Sequence, residues 1–262
     1  MKGFLKRKPI SVAISALLVA IIITPCLATD LKDVKKRGKL IMLCFPHQES
    51  IFIRTKVEVG LGHYHGIDYD LMKGFAEYLG VSLEVLPVKP SFAELIPALL
   101  AGKGDVIASS FSITPKRKEQ VDFSNSYFEL RVAVLVGKDS NITSIDDLVG
   151  KVGSAVKGSS QEEIMKNIEG ITRIHHVDFT RWNYDAVSEK KADFTLVDEP
   201  STWKVLPEYP ELKLAFTLPS EDKYGFAVTP GSDLREHLNR YIDEIKRSAK
   251  LEKTIQQYMP KK

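Results

Sequence analysis

Cysteine is almost missing from this 262-residue sequence, which has only Cys26 and Cys44. Cys26 lies at the end of an N-terminal leader, so a trimmed chain keeps Cys44 alone and no intramolecular disulfide is open to it. Cys44 falls in the apolar stretch 40–45, where it reads as a small buried hydrophobe rather than a reactive thiol. Beyond residues 10–23 there is no long apolar run, and internal repeats and low-complexity tracts are absent. Surplus positive charge is missing too. The formal net charge of +3 reflects four leader cations, Lys2, Lys6, Arg7 and Lys8; without them 37 basic residues become 33 against 34 acidic ones. Nucleic-acid binding therefore has no electrostatic support. His63 with His65, and His175 with His176, lack the acid or cysteine that would complete a ligand set, so neither metal nor other cofactor is expected.

What is present begins with that leader. Its four cations precede the apolar run 10–23 and a small-residue exit at Cys26-Leu27-Ala28, the pattern of a secretory signal cut after Ala28. Lipid attachment at Cys26 is disfavoured by the preceding Pro25, and the run falls short of the roughly 20 apolar residues of a spanning helix. The location expected is periplasmic. Behind the leader, strand-like runs at 40–45, 82–86, 105–108, 131–136, 152–155, 171–175, 193–197, 212–216 and 225–228 alternate with helix-period segments. This alternation predicts α/β layers with mainly parallel sheets.

Helix punctuation is sharper. A helix over 68–78 stops at Gly80, and Ser91-Phe-Ala-Glu94, Ser144-Ile-Asp-Asp147 and Ser159-Ser-Gln-Glu162 each have the spacing of a capping box. One set of βα units is complete before the run 131–136, and a second starts at Val152. The amphipathic stretch 232–246 then needs an apolar face to cover. These features predict a first lobe of residues 29–132 plus 223–262, a second lobe of 133–222, and two crossing segments that act as a hinge for closure. Trp182 and Trp203, in helical contexts, are expected to pack between elements of the second lobe.

One stretch carries chemistry. Residues 105–108 read as a buried strand and Thr114-Pro115 as N-cap plus first helical residue, which puts Arg117 at the third helical position. Ser110, Ser112 and Arg117 then share a cleft at a strand end, where open α/β sheets bind ligands. A guanidinium offers two parallel donors to a carboxylate, and hydroxyls satisfy its remaining lone pairs. The competing reading is an ordinary βα loop with a solvated basic patch at Lys116-Arg-Lys118.

Five ordered blocks make a resemblance specific: residues 66–80 (Gly-Ile-Asp-Tyr-Asp-Leu at their start), 99–107, 110–124, 157–162 and 191–199 are similar to the signatures of family 3 bacterial solute-binding proteins. The resemblance spans essentially the whole trimmed chain. It implies a two-lobed type II periplasmic-binding-protein fold, the Venus-flytrap arrangement. It also implies a non-enzymatic, monomeric receptor that passes an amino acid or similar zwitterion to the membrane permease of an ABC transporter. By the same resemblance Ser110, Ser112 and Arg117 hold the ligand carboxylate, helped by Ser159 and Ser160, while Asp198 receives the ammonium. The segment 45–52 lacks the usual acidic and double-proline pattern; His47, Glu49, Phe52 and Phe111 are the candidates for reading the ligand side chain, with core packing or loop exposure equally open to each.

Two other classes share the scaffold. Cyclohexadienyl dehydratases resemble it but place a carboxylic acid in the turn that here reads Gly158-Ser-Ser-Gln161, and an amide transfers no proton. The blocks 66–83 and 209–216 also resemble the non-catalytic domain of membrane-bound lytic transglycosylase F, which leaves a sensory or muropeptide-binding role open. With the chain stopping at Lys262, transglycosylase catalysis is not expected.

Overall fold

The computed structural model describes residues 29–45, 50–55, 64–89 and 91–259. The expected leader, the loop positions His47 and Glu49, and His63 lie outside these described residues. In chain order the first part comprises α1 (Leu31–Arg37), β1 (Lys39–Cys44), β2 (Arg54–Thr55), β3 (Tyr64–His65), α2 (Ile67–Leu79), β4 (Ser82–Pro87), α3 (Leu95–Leu100), β5 (Val106–Ile107), α4 (Pro115–Lys118) and β6 (Asp122–Phe123). The middle part comprises β7 (Phe128–Gly137), β8 (Val152–Val156), α5 (Ser160–Asn167), β9 (Arg173–Val177), α6 (Thr180–Ser188), β10 (Phe194–Asp198), α7 (Thr202–Glu208) and β11 (Leu212–Tyr224). After β11 come β12 (Ala227–Val228), α8 (Leu234–Arg247) and α9 (Lys250–Gln256).

Two five-stranded sheets result, in the orders β4-β1-β5-β12-β6 and β11-β7-β10-β8-β9. They are mixed rather than mainly parallel. β1 runs parallel to β4 and β5, and β8 parallel to β9 and β10, because helical crossovers join those strands. β7 and β12 oppose their neighbours, since each enters its sheet from the other lobe and meets it from the opposite end. β7 and β11 are the crossing segments, paired antiparallel from Leu212↔Gly137 to Tyr224↔Phe128 with register shifts at Leu214/Phe216 and Thr217/Glu221. Such irregularities bend and twist a ribbon locally.

Local sequence explains the helix limits. Asp30 and Asp33 close a capping box on α1, and Gly38 ends that helix in the left-handed region at φ 74°. Gly80 does the same for α2 at φ 72°. Ile67, Leu71, Met72, Phe75, Ala76 and Leu79 form the buried stripe of α2. Opposite them pack Leu234, Leu238, Tyr241, Ile242 and Ile245 of α8, in one cluster with β1. Each such side chain contributes roughly 1.5–3 kcal/mol on burial. Cys44 belongs to this cluster, fully buried, and desolvation pushes its thiol up to about 12.

Two expected capping boxes take another form. Ser91 makes no side-chain cap bond and opens a 3₁₀ turn, Phe92–Glu94, that leads into α3. At 144–147 the carboxylate does the capping: Asp147 Oδ2 accepts from the backbone N–H and hydroxyl of both Thr143 and Ser144, above a 3₁₀ turn at Asp146–Leu148.

Gly66 connects the fold to the site. It enters α2 at φ 131°, and a Cβ there would stand 2.3 Å from the carbonyl oxygen of Phe52, which accepts the Asp68 N–H at 2.8 Å. Gly66→Ala is expected to lower unfolding free energy by roughly 3 kcal/mol through strain and backbone overlap, as read by urea denaturation. Gly80→Ala, where the added methyl meets open space, is expected to cost about 1–2 kcal/mol. Equal losses for the two would mean that the approach of Phe52 to Gly66 is of no consequence.

Candidate functional site

The first wall of the site grows from the end of β5. Ser110 has φ 48°, a conformation non-glycine residues adopt at a cost of about 1 kcal/mol or more, and its N–H donates to Asp68 Oδ2 at 2.6 Å. Asp68 is fully buried and also accepts from the Tyr127 hydroxyl. Burial drives its carboxyl up to about 7, against the opposing effect of those two donors. The neighbouring Ser109 Oγ accepts the N–H of Phe45 at 2.9 Å and ties this turn to β1.

Thr114 caps α4, its Oγ1 accepting the N–H of Arg117 at 3.3 Å, with Pro115 in the first helical position. Arg117 occupies the third, and only 6% of it is exposed. Its guanidinium lies 4.0 Å from the Phe111 ring centroid and 5.5 Å from that of Phe92. Nη1 donates to Ser112 O at 2.9 Å, and Nη2 donates across the cleft to Gly158 O at 3.2 Å. Desolvation lowers its pKa to about 10, with Asp222 and Glu163 pulling the other way, so it stays cationic at neutral pH.

The second wall grows from the amino end of α5. Ser159 is the N-cap, accepting from Glu162 N at 3.1 Å, while Glu162 Oε2 reaches back to the N–H of Gly158 at 2.6 Å. Glu162 also meets His176 Nε2 at 2.7 Å and Lys166 Nζ at 2.6 Å, and its carboxyl falls to about 2 because these donors outweigh its desolvation. Asp198 ends β10. Although it precedes a 3₁₀ turn, its side chain makes no cap bond. It accepts instead from Gln161 Nε2 at 2.9 Å and from Tyr224, and desolvation holds its carboxyl up at about 6. It forms no ion pair among the described residues.

These walls enclose a cavity of about 240 Å³ between the two sheets. Of the residues expected from sequence, Ser110, Ser159, Ser160 and Asp198 line it. Ser112 is fully buried beside it: its hydroxyl donates to Asp222 Oδ2 at 2.6 Å and contacts Ser160 Oγ at 2.9 Å. Arg117 faces an adjoining cleft of about 200 Å³ that shares Phe92 and Ser159 with the cavity. Phe52 is not at the cavity; it is a core residue, edge-on to Phe128 and Tyr224 at 5.0 and 4.9 Å. Phe111 lies under the Arg117 guanidinium, stacked between Phe92 and Phe123.

Other lining residues escaped the sequence reading. Phe92, Gln161, Phe179, Asn183 and Tyr224 contribute to the cavity, as does Trp182, which is 44% exposed and edge-on to Phe179 rather than packed inside the second lobe. Trp203 is likewise exposed. For Gln161 the usable signal was its place in the turn Gly158-Ser-Ser-Gln161 that opens α5. Phe92 and Asn183 carry none, because their direction depends on how distant elements pack.

The sequence profile of the bacterial extracellular solute-binding proteins, family 3, matches residues 56–261. The chain belongs to that family. Among individual proteins it is similar to the membrane-bound lytic murein transglycosylase F of Desulfosudis oleivorans, 28% identical over 87% of this chain and 50% of that protein. It is also similar to the arginine-binding extracellular protein ArtP of Bacillus subtilis, 30% identical over 72% of this chain and 75% of that protein. The chain spans about half the length of the transglycosylase relatives it matches. Its structure resembles that of AbpA, an amino acid ABC transporter substrate-binding protein of Streptococcus pneumoniae bound to L-arginine. The TM-score is 0.79 at 28% identity, covering 87% of this chain and 97% of that one. This family-3 chain therefore has the two-lobed type II fold of periplasmic amino-acid-binding proteins, with β7 and β11 as its crossing strands. Among the described residues no helix is long and apolar enough to cross a membrane.

The acids of this site couple stability to pH. Asp68 and Asp198 hold their protons to about pH 7 and 6 when folded, above the ordinary value near 3.8, so the folded chain binds more protons than the unfolded one across that window. Their contribution is fully present below about pH 4 and is lost as pH rises through 6 and 7. Urea-unfolding free energy is expected to decline between pH 4 and 7 by an amount on the order of a few kcal/mol. In Asp68→Asn most of that decline should vanish, and an unaltered slope would show that Asp68 ionises normally.

Proposed function

We propose that this solute-binding protein is an extracytoplasmic receptor that closes two lobes on an amino acid or similar small zwitterion and delivers it to an ABC permease. The observation that carries the reading is Asp198: a carboxylate without a counter-cation among the described residues, at the carboxyl end of β10, in the wall of a cavity between two sheets. A ligand ammonium supplies the missing charge. Ser110, Ser159 and Ser160 receive the ligand carboxylate, joined by Arg117 from the adjoining cleft and by Ser112 once its hydroxyl turns from Asp222, the positive end of α5 and the buried guanidinium both favouring an anion. Lobe boundaries near residues 132 and 223 draw support from the packing of Leu130 and Tyr224 in one buried cluster and of Val132 and Leu218 in another.

A second reading, capture of a muropeptide-like ligand for sensing, draws support from the transglycosylase F relatives, which match this chain over about half their length. The dehydratase reading is weaker. Gln161 stands where that chemistry needs an acid and is bonded to Asp198, while Glu162 is held by Gly158, Lys166 and His176.

A thermal-shift screen of amino acids beside short wall peptides separates these readings, because a ligand bound only to the folded state raises its melting temperature. With the ligand so found, Asp198→Ala is expected to weaken binding at least a hundredfold in calorimetry, since an unpaired member of a desolvated pair costs roughly 3–5 kcal/mol and about 1.4 kcal/mol is tenfold. Arg117→Ala is expected to lose at least tenfold; a smaller loss removes Arg117 from the carboxylate site.

Gly158 tests closure itself. It stands at φ 80°, and a Cβ there would lie 2.6 Å from the backbone nitrogen and Cβ of Ala93 in the opposite lobe. Gly158→Ala is expected to leave the protein folded but hold the lobes apart, weakening ligand binding at least tenfold and leaving the ligand-bound form expanded in small-angle scattering. Unchanged affinity and compaction would show that the lobes need not meet there.

A further inference from the structure

The cavity has a second polar end that the ammonium and carboxylate assignments do not use. It is formed by the amino end of α6, a nine-residue helix whose N-cap, Phe179, provides no side-chain cap. Phe179, Thr180, Arg181, Trp182 and Asn183 all line the cavity. Asn183 is only 5% exposed, and one end of its amide meets Ser154 Oγ at 2.9 Å; the other end has no partner among the described residues. An amide so buried with half of its hydrogen-bonding capacity unused, at the wall of a cavity, marks a place for a ligand polar group. The sign of that group follows from its surroundings. The positive end of α6 and the Arg181 guanidinium both favour an anion, and both disfavour a cation. Of the acids nearby among the described residues, Asp185 accepts from the Tyr209 hydroxyl, Asp178 lines an outer groove behind Trp182, and Asp198, which lines the same cavity beside Gln161 and Tyr224, is taken by the ammonium.

We propose that this end of the cavity is a side-chain subsite for an anionic tip, so that the ligand is a dicarboxylic amino acid of the glutamate type. Asn183 donates to the distal carboxylate, Arg181 closes over it at the rim, and the rings of Phe179 and Trp182 cover the methylene stem. This specificity rests on the amino-acid reading above, with Asp198 taking the ammonium. It differs from a cavity built for arginine, whose cationic tip would face Arg181 and the positive end of a helix.

The test compares L-glutamate, L-glutamine and L-arginine by thermal shift and calorimetry on the full chain, on Asn183→Asp and on Arg181→Ala. Asn183→Asp preserves shape and the Ser154 contact while placing a negative charge in the subsite. Glutamate is expected to bind the unaltered protein at least tenfold more tightly than arginine. It should lose at least tenfold in Asn183→Asp and several-fold in Arg181→Ala, with the ligand-free melting of Arg181→Ala unchanged and that of Asn183→Asp lowered but still cooperative. Stronger binding of arginine than of glutamate, or glutamate affinity unchanged in both variants, would overturn the subsite while leaving the amino-acid reading intact. If none of the three amino acids binds and other amino acids fail as well, the amino-acid reading itself falls and the subsite with it.

Discussion

Antiparallel pairing of β7 with β11 sets the relation between the two walls of the cavity, since both strands run through the second sheet, β7 beginning and β11 ending among first-lobe residues. β11 brings Asp222 to Ser112 and Tyr224 to Asp198, so one strand touches both the hydroxyl and the acid of the site. Tyr224 is also packed against Phe52, Tyr127 and Phe128, which anchors the carboxylate contact in the first-lobe core. The register shift at Leu214/Phe216 lies within the second sheet, whereas that at Thr217/Glu221 falls where β7 passes beyond its pairing with β10, and there a local change of twist costs few ladder bonds.

Charge is handled by isolation rather than by pairing. Asp68, Asp198 and Asp222 all have carboxyls pushed upward mainly by desolvation. Asp68 answers this with two donors, from Ser110 and Tyr127, and so holds the cavity turn in a left-handed conformation that serine alone would not favour. Arg117 answers it with carbonyl acceptors and two rings. A cluster of aromatic and aliphatic side chains, including Phe45, Phe92 and Val156, joins the lobes beside these polar contacts and shields them from water.

What the sequence made legible was local. Gly80 ends α2 and Thr114-Pro115 starts α4 where their types demand, because helix ends are decided within a few residues. Ser110 could be placed at the cavity from its strand end alone, whereas Ser159, Ser160 and Asp198, at a helix start and a strand end, were carried there by the family resemblance. Strands of two residues such as β6 carry too little pattern to be seen, and the direction of β12 is set by a return from the other lobe. Arg117 shows the boundary well. Its helical position was readable, but the direction of its guanidinium depends on Phe111 below it and on Gly158 across the cleft. Phe52 went the other way, an aromatic in a candidate loop that the core absorbs.

Gly158 and Ala93 meet through backbone atoms and a methyl group, with no long side chain between them. A contact of that kind has no rotamers with which to adjust, so the two lobes have one distance of nearest approach whatever cargo lies behind it. The lining of the cavity can therefore differ in what it accepts while the spacing of the two lobes at this contact stays constant.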